Sequence, residues 1–87
     1  MTKNFSSDAW NEFLYWQKTD KKVFRRILEL IKDIDRNGYN GIGKPEKLSG
    51  NLSKFYSRRI DDKNRIVYKI ENEIIQIIQC GSHYKDK

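Results

Sequence analysis

Two segments in the first half of the chain carry apolar residues at helical spacing. The first segment follows Ser6 and Ser7, either of which suits a helix N-cap. Its apolar side comprises Trp10, Phe13, Leu14, Tyr15 and Trp16. The second segment begins after Thr19, which also suits an N-cap, and ends at Asn37-Gly38. Its apolar stripe comprises Val23, Phe24, Ile27, Leu30, Ile31 and Ile34. The pattern predicts two helices that form a hairpin over a flat layer.

The second half of the chain has the pattern of β-strands. Lys54–Ile60 and Arg65–Glu71 flank a polar turn, and a second turn leads into Ile74–Cys80. These runs predict a three-stranded antiparallel meander, with Lys3–Phe5 as a short additional edge strand. The predicted fold class is therefore α+β, a two-helix hairpin packed on a small antiparallel sheet, in a single domain spanning residues 1–87. Residues 37–53 are predicted to form a loop of a length that is often functional.

Alternation along the first two strands of the meander assigns their side chains to two faces. The apolar even-numbered set, which should face the helices, comprises Tyr56, Ile60, Ile66, Tyr68 and Ile70. The odd-numbered set, which should form a solvated face, comprises Ser57, Arg59, Arg65, Val67 and Lys69. This pairing places Arg59 near Arg65, where an anion would be favourable, although an ordinary wet sheet face carries such residues equally well. The facing of the third strand stays open, and Arg58 is unexplained among the apolar set.

Size and charge narrow the class of partner. The chain has 87 residues, a formal net charge of +6 and a pI of about 9.5, which favours a polyanionic partner such as nucleic acid or an acidic protein. No apolar run is long enough to span a bilayer, and no signal-peptide pattern opens the chain. The single cysteine, Cys80, fits a reducing cytoplasm and is predicted to be a small buried strand residue.

The chain also contains the groups needed to cleave a phosphodiester bond without a metal. His83 is the only histidine, Glu46 lies in the predicted loop, and several arginines follow it. A base must take a proton from the attacking hydroxyl, an acid must protonate the leaving oxygen, and cations must hold the phosphate. On composition alone, however, a lone histidine near a chain end is more often a frayed surface residue. One histidine and one cysteine do not make up a soft-metal site of the usual ligand count.

The order and spacing of these residues resemble the small toxins of the RelE superfamily, and within it the Txe/YoeB group. The resemblance extends over nearly the whole chain, and no single short motif carries it alone. Its carriers are Trp10, Tyr15-Trp16-Gln17, Thr19-Asp20-Lys21, Leu30-Ile31-Lys32-Asp33, Gly43-Lys44-Pro45-Glu46, Leu48, Asn51-Leu52-Ser53, Ser57-Arg58-Arg59-Ile60, Arg65, Val67-Tyr68 and His83-Tyr84.

The resemblance implies a cytoplasmic toxin of a type II toxin–antitoxin system that acts as a ribosome-dependent messenger-RNA endonuclease, without a cofactor. Glu46 matches the general base of the family, His83 its general acid and Arg65 the arginine at the scissile phosphate. An acidic, YefM-like antitoxin and a homodimer are implied as well. Three alternatives remain open: a module that binds RNA or the ribosome without cutting, a gyrase-targeting toxin of the related ParE group, and a degenerate member that only binds its antitoxin.

Further roles follow from the same resemblance. Arg59 would be a second cation beside the phosphate, and Tyr84 would stack on the RNA or position it. Lys44 and Lys47 lie in the matching loop and would bind backbone phosphate. The family carries a lysine where this chain has Ser49, so Lys47 substitutes for that lysine or the contact is missing.

Overall fold

The structure is a computed structural model that describes residues 1–81 of the chain. The described residues form two helices, five strands and one short 3-10 helix. In chain order these are β1 (Thr2–Phe5), α1 (Ser7–Thr19), α2 (Lys21–Asn37), β2 (Glu46–Lys47), the 3-10 helix Gly50–Leu52, β3 (Tyr56–Arg59), β4 (Arg65–Glu71) and β5 (Ile74–Cys80).

The strands form one mixed sheet in the order β1-β5-β4-β3-β2. Strands β3, β4 and β5 make the predicted antiparallel meander, and the N-terminal strand is present at the edge. The α+β class is therefore confirmed. The expectation of a wholly antiparallel sheet is wrong, because β1 runs parallel to β5. A tight turn would force two strands to run antiparallel, but most of the chain lies between β1 and β5, so either direction is possible.

Strand β2 has no counterpart in the sequence prediction. The sequence pattern predicts a loop for Glu46 and Lys47, and this prediction is wrong. Glu46 pairs with Ser57 and Lys47 pairs with Tyr56, antiparallel to β3. A strand of two residues is too short to display alternation, so the sequence carries no signal for it. As a result, the backbone of Glu46 is held by the sheet.

Polar caps define the start of each helix. The Ser6 hydroxyl accepts a hydrogen bond from the backbone N–H of Ala9 at 3.1 Å, which confirms one of the two predicted caps of α1. The cap of α2 is Asp20 and not the predicted Thr19, because the Asp20 carboxylate accepts from two backbone N–H groups of the first turn. Thr19 is still part of α1, and its hydroxyl donates to the carbonyl of Tyr15. In the described part of the chain, no helix is long and apolar enough to cross a membrane.

The hydrophobic core lies between α2 and one face of the sheet. Its fully buried members include Ile27, Leu30, Ile34, Ile66, Tyr68, Ile75, Ile77 and Cys80. Strand β5 therefore turns Ile75 and Ile77 toward the helices, which settles the facing that the pattern left open. The register between β4 and β5 shifts at Val67 and Tyr68, so Cys80 also reaches the core despite its even number. A bulge of this kind breaks the alternation on which the prediction depends.

Candidate active site on the sheet face opposite the helices

Three strands bring Glu46 and Arg65 together. Glu46 on β2 pairs with Ser57 on β3, and Arg65 begins β4 two positions further along the same sheet face. The Oε1 atom of Glu46 lies 3.6 Å from Nη1 of Arg65, which is an ion pair and longer than a good hydrogen bond. The same Nη1 atom donates to the Ser57 hydroxyl at 3.2 Å. The carboxylate, the hydroxyl and the guanidinium thus form one polar cluster.

Arg59 stands directly opposite Arg65 in the register of β3 and β4. The predicted proximity of the two arginines is therefore confirmed. Two guanidinium groups on directly opposed residues repel each other, and the Glu46 carboxylate offsets only one of the two positive charges. Arg59 is exposed and the Arg65 side chain is about one-third exposed. The cluster can therefore accept an anion from solvent.

The face that carries this cluster is not fully solvated. Ser57 and Val67 have no exposed surface, although the alternation pattern predicts that both are on a wet face. That part of the prediction is wrong. Ser57 lies between β2 and β4, and Val67 lies between β3 and β5, so both are flanked by strands on two sides. Around the buried Ser57 hydroxyl, the accessible charged groups are Glu46, Arg59 and Arg65.

The two candidate lysines lie differently from Glu46. Lys47 pairs with Tyr56, which packs against the core, so alternation sends the Lys47 side chain to the other side of the sheet from Glu46. Lys44 is exposed, with a positive φ of 51°, two residues before β2. The structure does not bring Lys47 beside the Glu46–Arg65 pair, and phosphate binding by either lysine stays a prediction.

The remaining candidates, His83 and Tyr84, lie outside the described residues. The chain just before them is anchored beside the cluster, because the Gly81 N–H donates to the carbonyl oxygen of Arg65 at 2.9 Å. Within residues 1–81, no group of three or more His, Cys, Asp or Glu side chains is arranged to hold a metal ion.

Cys80 is fully buried at the end of β5, as predicted. Burial, and secondarily the negative charge of Glu12, raise the pKa of its thiol to about 12. The Glu12 carboxylate is held nearby because it accepts the Cys80 backbone N–H at 2.7 Å. A thiol in this environment stays protonated at neutral pH and is a poor nucleophile.

Two features of the site went unassigned in the sequence prediction. Ser57 has no predicted role, yet its hydroxyl contacts Arg65 in the cluster. Arg58 is fully buried and forms an ion pair with Asp33 on α2. The only sequence signal for the second feature is a charged residue among apolar strand positions, because its partner lies 25 residues earlier.

Comparison with known proteins identifies the family. The family model for a YoeB-like toxin of bacterial type II toxin–antitoxin systems matches residues 5–84. The chain belongs to this family. The resemblance inferred from the sequence is thereby confirmed, and the protein is a toxin of the YoeB-like family.

Relatives of the YoeB-like family match over nearly their whole length. The toxin YoeB of Mycobacterium bovis is 47% identical over 81 residues, which cover 93% of this chain and 95% of the relative. Two solved structures from Staphylococcus aureus, a heterotetrameric YoeB–YefM toxin–antitoxin complex and a YoeB dimer, are each 47% identical with a TM-score of 0.90. Each covers 97% of this chain and 98% of the compared chain. The fold is therefore that of the family.

Proposed function

We propose that this toxin is an endoribonuclease that cleaves messenger RNA on the ribosome and so inhibits translation. The observation that carries the proposal is the position of Glu46, whose carboxylate lies 3.6 Å from the Arg65 guanidinium on an accessible part of the sheet. A general base beside a phosphate-binding cation is the arrangement that transesterification of RNA requires. Family membership supports the same assignment.

The reaction is attack of an RNA 2′-hydroxyl on the adjacent phosphorus. Glu46 accepts the 2′-proton as the O2′–P bond forms, and the P–O5′ bond breaks. His83 gives its proton to the departing 5′-oxygen. The products are a 2′,3′-cyclic phosphate and a free 5′-hydroxyl, so neither water nor a redox partner is consumed.

The arginines stabilise the charge that develops on the phosphate. The Nη1 atom of Arg65 contacts both the Ser57 hydroxyl and the Glu46 carboxylate, which preorganises the guanidinium before RNA binds. Arg59, directly opposite Arg65 in the sheet, places a second positive charge on the same phosphate. Preorganised donors of this kind act mainly on the transition state. Tyr84, Lys44 and Lys47 bind or position the flanking RNA in this proposal.

The proposed partners follow from charge and from the relatives. The net charge of +6 suits an acidic antitoxin as well as RNA. The Staphylococcus aureus structures contain a YoeB–YefM complex and a YoeB dimer, and we propose a YefM-like antitoxin and a homodimer for this chain. Trp10, Leu14 and Tyr15 on α1 are exposed and provide a candidate dimer surface. The proposed location is the cytoplasm, where translating ribosomes are found.

A chemically altered messenger tests the mechanism. Ribosomes are programmed with two synthetic messengers that differ only in a single 2′-deoxy substitution at the nucleotide preceding the cut. The toxin should cleave the all-ribose messenger and leave the substituted one intact at that position, because the nucleophile is missing. Cleavage at the deoxy position would contradict 2′-hydroxyl attack. Intact RNA in both reactions, with translation still arrested, would favour a binding-only or protein-targeting toxin.

A further inference from the structure

Arg58 is a buried cation on the core side of β3, and its side chain has no exposed surface. Two of its partners are side chains. Its Nη1 lies 2.5 Å from Oδ2 of Asp33 on α2, and its Nε donates to the Tyr68 hydroxyl at 3.1 Å. Asp33 is itself only 15% exposed. A buried charge is costly unless it is paired and fully hydrogen-bonded.

The other three bonds of Arg58 go to the backbone of a single segment, residues 38–42. Nη1 also donates to the carbonyl of Ile42 at 3.1 Å, and Nη2 donates to the carbonyls of Gly38 and Asn40 at 2.8 and 2.6 Å. An arginine has five N–H donors, so every donor of Arg58 has a partner. A single guanidinium thus binds three alternate carbonyls of the chain between α2 and β2.

The same segment is held by Asp33 and packed tightly against the ion pair. The Asp33 carboxylate accepts the backbone N–H of Ile42 at 3.1 Å. A methyl group added at Gly41 would collide with the Asp33 carboxylate, and one added at Gly43 would come within 2.8 Å of the Leu30 side chain. The backbone of this segment therefore lies directly on the Arg58–Asp33 pair.

This segment leads directly to Glu46. The Gly43 carbonyl accepts the backbone N–H of Arg59 at 2.7 Å, and β2 begins three residues later. Strand β2 has only two residues, so its own pairing with β3 supplies few hydrogen bonds. Its position on the sheet therefore depends also on how its flanking residues are fixed, by the bond from the Leu48 N–H to the Phe55 carbonyl on one side and by the preceding segment on the other.

We infer that Arg58 is a positioning residue, whose guanidinium fixes residues 38–42 and thereby holds the Glu46 carboxylate in place against Arg65. The catalytic consequence rests on the proposed function, whereas the structural consequence does not. Consecutive residues of β3 have separate tasks in this arrangement. Arg58 anchors the chain on the core side, and Arg59 faces the substrate on the other side.

Arg58→Lys is the most informative substitution. It keeps the positive charge but removes the planar guanidinium, which donates to several acceptors at once. Asp33→Asn is the milder second variant, since it leaves all five Arg58 donors present. Arg26→Lys is the matched control, because Arg26 is an arginine of α2 whose ion pair, with Glu29, lies at the surface. Each variant is made with and without Glu46→Ala.

The first readout is single-turnover cleavage on programmed ribosomes, with RNA affinity measured separately. Arg58→Lys should lower the cleavage rate by about 10- to 100-fold with little loss of affinity. In the Glu46→Ala background the same substitution should change the residual rate by about twofold or less, because the base that it positions is gone. An equal loss in both backgrounds would overturn the inference and assign Arg58 to general stability.

The second readout is amide hydrogen exchange, which does not depend on activity. In Arg58→Lys and Asp33→Asn, protection should fall at the amides of Ile42 and Leu48, which flank β2, and at Arg59, whose N–H bonds to the Gly43 carbonyl. Amides in the β4–β5 pairing should stay protected. Uniform loss across the protein, or unchanged protection around β2, would overturn the inference. If Glu46→Ala alone cleaves normally, the proposed function fails, and exchange still decides whether Arg58 fixes the segment.

Discussion

Oε1 of Glu46 lies 3.6 Å from Nη1 of Arg65, although the 3-10 helix, strand β3 and a turn separate the two residues in the chain. The Glu46 side chain is 64% exposed, so a substrate can reach it. The pair therefore supplies a base and a phosphate-binding cation at one accessible point. The proposed chemistry depends on this relationship.

Removing the guanidinium of Arg65 should impair cleavage more than removing a comparable surface arginine. Arg65→Met should lower the single-turnover rate by about 10²- to 10³-fold, as loss of one preorganised charge-stabilising group typically does. Arg26→Met is the control, since Arg26 belongs to a surface pair on α2. The rates are compared on the same programmed ribosomes. Equal cleavage rates for the two variants would show that Arg65 is not part of the active site.

Acid should weaken the contribution of Asp33 to stability. The hydrogen bond from Arg58, opposed by burial, lowers the pKa of Asp33 below its ordinary value. A carboxyl whose folded pKa is depressed stabilises the fold above its unfolded pKa of about 3.9 and loses that contribution as the pH falls toward the folded pKa. Asp33→Asn should therefore be less stable than the wild type at pH 7, and the difference should shrink at pH 3.

Urea unfolding at the two pH values measures this difference. Asp62→Asn is a suitable control, because Asp62 is exposed in the turn between β3 and β4. A difference between the wild type and Asp33→Asn that is the same at pH 7 and at pH 3 would show that the Asp33 carboxylate is not linked to folding.

The thiol of Cys80 should react only when the protein unfolds. Because burial raises its pKa to about 12, very little of the native protein carries a thiolate at pH 8. Alkylation by iodoacetamide should be slower in the native protein than in urea by about two to three orders of magnitude. Mass spectrometry over time gives both rates from the single cysteine. Rapid modification of the native protein would contradict the burial of this thiol.

Gly81 should tolerate alanine less well than Gly50. Both have positive φ, of 105° and 63°, but a methyl group at Gly81 would collide with the indole of Trp16, while Gly50 has nothing within 4 Å. Gly50→Ala should cost about 1 kcal/mol from the backbone alone. Gly81→Ala should cost about 2–4 kcal/mol, since crowding adds to that strain. If urea unfolding shows the same loss of stability for Gly50→Ala and Gly81→Ala, the Trp16 indole does not pack closely against Gly81.

Periodicity predicts much of this fold. The stripe that contains Ile27, Leu30 and Ile34 identifies α2, and alternation along β3 and β4 predicts that Arg59 and Arg65 are neighbours. Both signals are local, since they depend on residues within one helix or within two strands joined by a short turn. The prediction succeeds where neighbours in space are also close in sequence.

The parts that failed depend on contacts between distant residues. Strand β2 is too short to have a period, the bulge opposite Val67 and Tyr68 breaks the alternation of β5, and Arg58 finds its partners on α2 and in the segment that follows it. The periodicity of apolar and polar residues in the sequence contains no information about these pairings. The inventory of acids, bases and cations makes Glu46 a candidate, the family resemblance gives Glu46 and Arg65 their roles, and only the structure gives the distance between them.

Cleavage mapping on ribosomes tests the proposed endoribonuclease activity most directly. A messenger is programmed with a defined codon in the decoding site, and primer extension follows treatment with the wild type, Glu46→Ala and His83→Ala. We expect cuts at that codon with the wild type and a loss of about 10²- to 10⁴-fold in each variant. Translation arrested equally by all three proteins, with the messenger uncut, would show that the toxin does not act by cleaving RNA.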